Sequence, residues 1–314
     1  MGLTAVAPGI DRIDSVLGSR RLQQWVVHGD SGALLLDTGI AGTVTEAIVP
    51  ALDELGIGVA GLSEVIVSHA DVDHYGGDAE LRALRPELPI RAHPTDRPLI
   101  ESWERIAAER YGWYRPHGID YPEETWEWLR VAAGADTALD GEIAAGERIE
   151  LGGIAVEVLH LPGHSLGHIG LFEPVGRTAI VADAVMGYGF DDRSGHRVAP
   201  PPYVDLDAYR ATIERVRGLS AARIGTAHFP LIEGEEVDRF LDLSSCFCDA
   251  LERAVEGAIA AAGGASLPRP ELLGEVATAL GGWPEMEVEL ARSIGAHLEA
   301  AGESTADDAS GGRG

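Results

Sequence analysis

The chain has 314 residues, 51 acidic against 24 basic side chains, and a formal net charge of −27. Every basic residue is Arg, and so acidic a surface repels phosphate backbones and anionic headgroups, which argues against nucleic acid or a membrane surface as partner. The length exceeds one average domain, and an apolar fraction of 45% allows a sizeable core.

The first 40 residues alternate short apolar runs with turn signals. Leu22 to His28 and Ala33 to Leu36 are predicted strands around the turn Gly29-Asp30-Ser31-Gly32. The second run ends in Asp37-Thr38-Gly39. Apolar residues at helical spacing predict a helix from about Thr43 to Leu55. The buried-strand run Val65-Ile66-Val67 then leads into Ser68-His69-Ala70-Asp71-Val72-Asp73-His74-Tyr75-Gly76-Gly77. Two His and two Asp within six residues, at the end of a strand, crowd four metal-ligand types into one loop. Strand ends are where α/β proteins keep their chemistry. A short helix at about Asp78 to Leu84 and a strand at Pro89 to Ala92 follow.

Residues 96–135 break this rhythm. They are helical in pattern and hold seven of the chain's 18 aromatic residues: Trp103, Tyr111, Trp113, Tyr114, Tyr121, Trp126 and Trp128. Such a segment reads as a helical insertion, serving as a local core, as a pocket wall beside the His/Asp loop, or as both. Strands return at Arg148 to Leu151, Ile154 to Leu159, His168 to Phe172 and Thr178 to Ala182. A helix at Leu206 to Arg217 and a strand at Arg223 to Thr226 complete a second half laid out like the first. From 235 to 300 the pattern is helical, cut by Pro268, Pro270 and Pro284, and suits a cap or a homodimer contact. The Ser/Asp/Gly-rich tail at 301–314 is expected to be disordered.

Cys246 and Cys248 are two apart in a helical pattern, unsuited to an ordinary disulfide, and are expected to be reduced. There is no secretory pattern at the N-terminus and no 18-residue apolar run, so the cytoplasm is the expected location.

Three further blocks complete what the His69 loop begins. Gly163-His164-Ser165-Leu166-Gly167-His168, Ala182-Asp183-Ala184 and Ala227-His228-Phe229 each follow a predicted strand. With the His69 loop they resemble, in order and spacing, the signature of the metallo-β-lactamase-fold hydrolases: H-x-H-x-D-H, then GHT/S-x-GH, then Asp, then a late His. The resemblance spans residues 20 to 230. It implies an α/β fold, an αββα sandwich over residues 1–234 interrupted by the 96–135 insertion and followed by the 235–300 helical extension.

Carried over position by position, the resemblance assigns His69, Asp71 and His164 to a first metal site and Asp73, His74 and His228 to a second. Asp183 is the bridging carboxylate. Asp37 matches a buried Asp that orients the loop, and His168 matches a structural His outside the coordination shell. His28, His93, His117, His160, His196 and His297 lack ligand spacing; His117 and His196 lie where they could approach the pocket.

The sequence departs from the pattern at Asp71, where the family has His. Two divalent ions are implied, zinc first; the extra carboxylate moves preference toward iron or manganese. Asp also stands close to the Glu used by related diiron flavoproteins. The expected function is metal-dependent hydrolysis of an ester, thioester or lactone bond of a small, partly apolar molecule by a metal-bound hydroxide. Asp73 or Asp183 steers the proton, and Tyr188 is a candidate oxyanion donor. The alternatives are a diiron oxidoreductase acting on dioxygen or a sulfur substrate, and a binding protein that no longer turns over.

Overall fold

The computed structural model describes residues 2–282 and 287–303. Pro284 and the tail from 304 onward lie outside the described residues. One sheet runs β1 (Gly2–Ala7), β2 (Ile10–Leu17), β3 (Arg20–Gly29), β4 (Gly32–Leu36), β5 (Leu62–Ile66), β6 (Ile90–Ala92) and β7 (Gly141–Glu142), in sequence order. Its first four strands form antiparallel hairpins, and β4 to β7 run parallel. The second sheet has β8 (Arg148–Glu150), β9 (Ala155–His160), β10 (Ile169–Glu173) and β11 (Thr178–Ala182). A separate small hairpin of β12 (Phe190–Asp191) and β13 (Arg197–Ala199) follows. Parallel pairing of β11 with β14 (Arg223–Thr226), and β15 (Ile232–Glu233) outside that, completes the second sheet.

Strand alternation builds the layers. Trp25, Val27, Leu34 and Leu36 face the second sheet and pack with Val156, Val158, Ile169, Leu171 and Ile180. Their neighbours Val26, Ala33 and Leu35 face the other way, onto Val44, Ile48, Leu52 and Leu81 of the first helical layer. After the helices α1 (Val49–Glu54), α2 (Val72–Tyr75), α3 (Asp78–Leu84), α4 (Arg97–Ile100), α5 (Trp103–Ile106) and α6 (Glu123–Ala132), four more cover the outer face of the second sheet, including Val181 and Ile224: α7 (Leu206–Gly218), α8 (Glu236–Ala261), α9 (Arg269–Ala279) and α10 (Glu287–Ala301). The result is the αββα sandwich. Trp25 is fully buried, and its indole N–H donates to the Thr226 carbonyl, tying the two sheets together at 3.2 Å. No helix among the described residues is long and apolar enough to cross a membrane.

The helix expected over 43–55 has two parts, a π-helical turn at Val44–Ile48 and an α-helix at Val49–Glu54. Pro50 has no N–H for the Glu46 carbonyl, and the wider turn just before it absorbs the missing bond. The 96–135 insertion is a chain of short helices: Arg97–Ile100, Trp103–Ile106, a π-helical turn at Ala107–Tyr111, and Glu123–Ala132. Both cysteines are free, Cys248 buried and Cys246 exposed.

Candidate metal centre

The rims of the two sheets meet where β4, β5, β9, β11 and β14 end. Asp37 follows β4 in a left-handed conformation, φ 67°, which an Asp tolerates better than a bulkier residue. It accepts hydrogen bonds from the Ser68 N–H (2.7 Å), the Ser68 hydroxyl (2.8 Å) and His74 Nδ1 (2.8 Å). The strained turn therefore locks the loop after β5, and its Val72–Tyr75 stretch closes into a single helical turn.

All four candidate histidine ligands are held from behind. His69 Nδ1 contacts the Ser68 hydroxyl (3.0 Å), His74 Nδ1 contacts Asp37, His164 Nδ1 donates to the Pro202 carbonyl (2.8 Å) and His228 Nδ1 to the Arg21 carbonyl (2.8 Å). Each ring thus turns its Nε2 inward, the tautomer that a metal ligand needs. His164 Nε2 and His69 Nε2 approach to 3.1 Å; His228 Nε2 lies 3.2 Å from Asp183 Oδ2 and 3.4 Å from Asp73 Oδ2; His74 Nε2 lies 3.5 Å from Asp183 Oδ2. Ligand atoms about 2.0 Å from a tetrahedral ion stand about 3.3 Å apart. His74 Nε2 is also buried without a hydrogen-bond partner. The residues therefore fit a divalent ion. Among the described residues, His69, His164 and Asp183 form one cluster with metal-holding spacing, and Asp73, His74 and His228 form another.

The two halves differ in charge. Burial opposes charge on His74 and His228, yet the carboxylates beside them win: His74 is raised well above its usual value and His228 is pushed up to about 10. That half attracts positive charge. His69, by contrast, is pushed down to about 3, first by burial and then by His74. Asp71 is handled differently again. Arg110 grips both its oxygens, Nε to Oδ1 and Nη2 to Oδ2, each at 2.5 Å, and the Tyr111 hydroxyl donates to Oδ1 at 3.0 Å. Burial opposes its charge, but Arg110 holds the carboxyl well below the usual range. Asp71, expected from the sequence as a first-site ligand, faces His69 and His164 at 3.3 and 3.0 Å while paired with Arg110.

A cavity of about 350 Å³ opens over the centre, with Asp71, Asp73, His164, Asp183 and His228 at its base. Tyr111, Tyr121 and Trp128 of the insertion wall it, together with Glu289 and Arg292 of α10. Trp103 and Trp126 instead pack edge to face at 6.4 Å, so the aromatic segment supplies both a local core and a wall. Tyr188 does not line this cavity. It packs edge-on against Phe247 under Arg197, and no oxyanion role follows from that place.

The family model of the metallo-beta-lactamase superfamily matches residues 23–228. The chain belongs to this superfamily. It is 26% identical over 160 residues to the hydroxyacylglutathione hydrolase GloC of Haemophilus influenzae, covering 51% of this chain and 64% of that one. It is 30% identical over 92 residues to a hydroxyacylglutathione hydrolase of Ruegeria pomeroyi, covering 28% and 36%. The matched stretches thus span less than two thirds of these curated relatives. In structure it resembles a metallo-beta-lactamase family protein from Thermus thermophilus (TM-score 0.71, 19% identity, 95% of each chain). It also resembles a beta-lactamase domain protein from Burkholderia ambifaria (TM-score 0.68, 16% identity, 96% of this chain and 89% of that one).

Within this superfamily fold, His168 stays out of the ligand cluster. Its ring stacks on His69, with centroids 4.6 Å apart, and its Nε2 accepts the Asp183 N–H at 3.2 Å. His196 is exposed on the β12–β13 turn, His117 packs on Tyr114, and neither lines the cavity. Sequence reasoning missed two residues. Arg110 carries no spacing signal, because its partner Asp71 is 39 positions away. Asp96 accepts from the Ala70 N–H (3.0 Å), the Ser165 hydroxyl (2.6 Å) and the Gly167 N–H (2.8 Å), clamping the His69 and His164 loops together. It lies in the stretch that follows β6, and strand ends are where the chemistry of an α/β fold is sought.

Proposed function

We propose that this chain hydrolyses a thioester, ester or lactone bond of a small, partly apolar molecule in a metal-dependent reaction. The observation that carries this reading is the convergence of four imidazole Nε2 atoms with Asp73 and Asp183 at the base of a partly aromatic cavity. The imidazole-rich set suits zinc. A divalent ion held there supplies Lewis acidity and lowers the pKa of water toward neutrality.

The chain's own groups divide the remaining work. Asp73 reaches the cavity. Burial opposes its charge, yet His74 and His228 hold its carboxyl below the usual range, so it stays ionised and can accept a hydrogen bond that orients an attacking water. Asp183 lies within 3.5 Å of both His74 and His228 and fixes the spacing between them. Leu17, Met186, Phe190 and Trp128 shield an apolar acyl group from water. Arg20 and Arg292 line the same cavity and offer positive charge to an anionic leaving group, in a chain that is otherwise strongly acidic. The curated relatives are named hydroxyacylglutathione hydrolases. An acyl glutathione is a thioester with an anionic leaving group, so thioesters come first. The iron- or manganese-based alternative drew its support from Asp71 as a ligand, and the pairing of Asp71 with Arg110 weakens that support.

The test is a panel of acyl thioesters, lactones and aryl esters offered to zinc-loaded protein, with dioxygen uptake followed in parallel on iron-loaded protein. Hydrolysis abolished by a chelator and restored by zinc is expected, thioesters fastest. No hydrolysis of any class, or substrate-dependent dioxygen uptake, overturns the reading.

A further inference from the structure

We infer that the Arg110 guanidinium takes the place of the first of two metal ions, so that this chain holds one divalent ion, between Asp73, His74, Asp183 and His228. The inference rests on the metal-dependent reading above and concerns how many ions the centre admits.

His69 Nε2, His164 Nε2 and Asp71 Oδ2 form a triangle with edges of 3.0, 3.1 and 3.3 Å, the size that a tetrahedral ion would span. Two of its corners are already satisfied by one nitrogen. Arg110 Nη2 donates to Asp71 Oδ2 at 2.5 Å and stands 3.2 Å from His164 Nε2. A neutral His164 that gives its Nδ1 proton to the Pro202 carbonyl presents Nε2 as the acceptor in that contact. The lone pair that a first ion would need is thus occupied by a guanidinium N–H. The other carboxylate oxygen, Asp71 Oδ1, is taken by Arg110 Nε and the Tyr111 hydroxyl.

Charge balance points the same way. Arg110 is a permanent cation, and with Asp71 it makes the first half neutral. A divalent ion placed there would be repelled by the guanidinium, and Asp183, the other carboxylate with metal-holding spacing to His69 and His164, is already paired with His74 and His228. The second half has no such cation: among the described residues, the ion pairs of Asp73 and Asp183 are with His74 and His228 alone. Two carboxylates and two imidazoles balance one divalent ion.

Arg110 is also fixed in place. It is buried, and its carbonyl accepts from Arg292 Nη2 of α10 at 3.0 Å. The π-helical turn at Ala107–Tyr111 lets two consecutive side chains, Arg110 and Tyr111, both reach Asp71. The Tyr111 hydroxyl in turn accepts the Val72 N–H at 2.9 Å, so the insertion and the ligand loop hold each other.

The test is metal stoichiometry by elemental analysis after dialysis against excess zinc, with manganese paramagnetic resonance as a second readout. Three proteins are compared: wild type, Arg110→Ala, and the double variant Asp71→His with Arg110→Ala, which restores a neutral ligand and keeps the pocket free of an unpaired buried anion. One equivalent and the spectrum of isolated manganese are expected for wild type. Two equivalents and an exchange-coupled spectrum are expected for at least the double variant. Two equivalents in wild type overturn this inference and leave the metal-dependent reading standing. One equivalent in all three shows that Arg110 is not what excludes the second ion, and overturns it as well. No metal in wild type overturns both readings.

Discussion

Replacing Asp96 by Ala tests whether the His69 and His164 loops are held in register by a single carboxylate. Asp96 is buried and accepts three hydrogen bonds, two of them from backbone N–H groups of ligand-bearing loops, Ala70 beside His69 and Gly167 beside His164. Gly167 is matched to this contact: a Cβ there would lie 2.5 Å from Asp96 Oδ1. Truncation strands both N–H groups, at about 1–3 kcal/mol each, and loses the Ser165 bond as well, so the expected cost is about 4 kcal/mol. An unfolding entropy of about 2.1 cal/mol/K per residue over this chain converts that to a fall in Tm of about 6 °C. Because the loop anchored at Ala70 also carries Asp73 and His74, zinc affinity is expected to fall about 10- to 100-fold. Scanning calorimetry and competition with a chromogenic chelator read the two effects. Asp96→Asn keeps one acceptor oxygen and is expected to fall between. A Tm within about 1 °C of wild type, with unchanged zinc affinity, would refute the clamp.

Two further outcomes follow from the same structure. Gly163 has φ +135°, and a Cβ on it would stand 2.4 Å from the Tyr209 Cα, so Gly163→Ala must displace the chain just before His164; a loss of about 3 kcal/mol is expected, measured by urea unfolding. His297 is buried, with its Nε2 2.7 Å from the Tyr203 hydroxyl; burial chiefly, with Arg210 adding and Glu252 opposing, pushes it down to about 4. Its folded value lies below its unfolded value of about 6.5, so the unfolded chain binds the extra proton and stability falls between pH 6.5 and 4, by up to about 3 kcal/mol. His297→Gln should flatten the slope of Tm against pH in that window, and an unaltered slope would count against the assignment.

Much of this molecule was legible in the sequence, because the signals concerned are local. The short apolar runs of β4 and β11 mark strands buried on both faces, and the helix Asp78–Leu84 and the strands Thr178–Ala182 and Arg223–Thr226 have the boundaries that the sequence pattern predicted. Histidines and aspartates placed just after apolar runs marked the ends of β5, β11 and β14, and sheet geometry makes such ends converge. The two-residue strands β7, β12 and β15 left no trace, since a pattern of two residues has no period.

What the tertiary structure alone decided is the electrostatic character of the centre. Sequence could say that Asp71 stands where a His was expected, but not what that Asp does. Its state depends on Arg110, delivered by an insertion whose path is set by packing, and held by α10 from the far end of the chain. The wall formed by Glu289 and Arg292, the Asp96 clamp and the inward turn of all four Nε2 atoms are likewise contacts between distant segments. A linear pattern can name ligands, because ligation needs particular residue types at strand ends. It does not show which charges meet, because that is settled only when separate segments share one low-dielectric space.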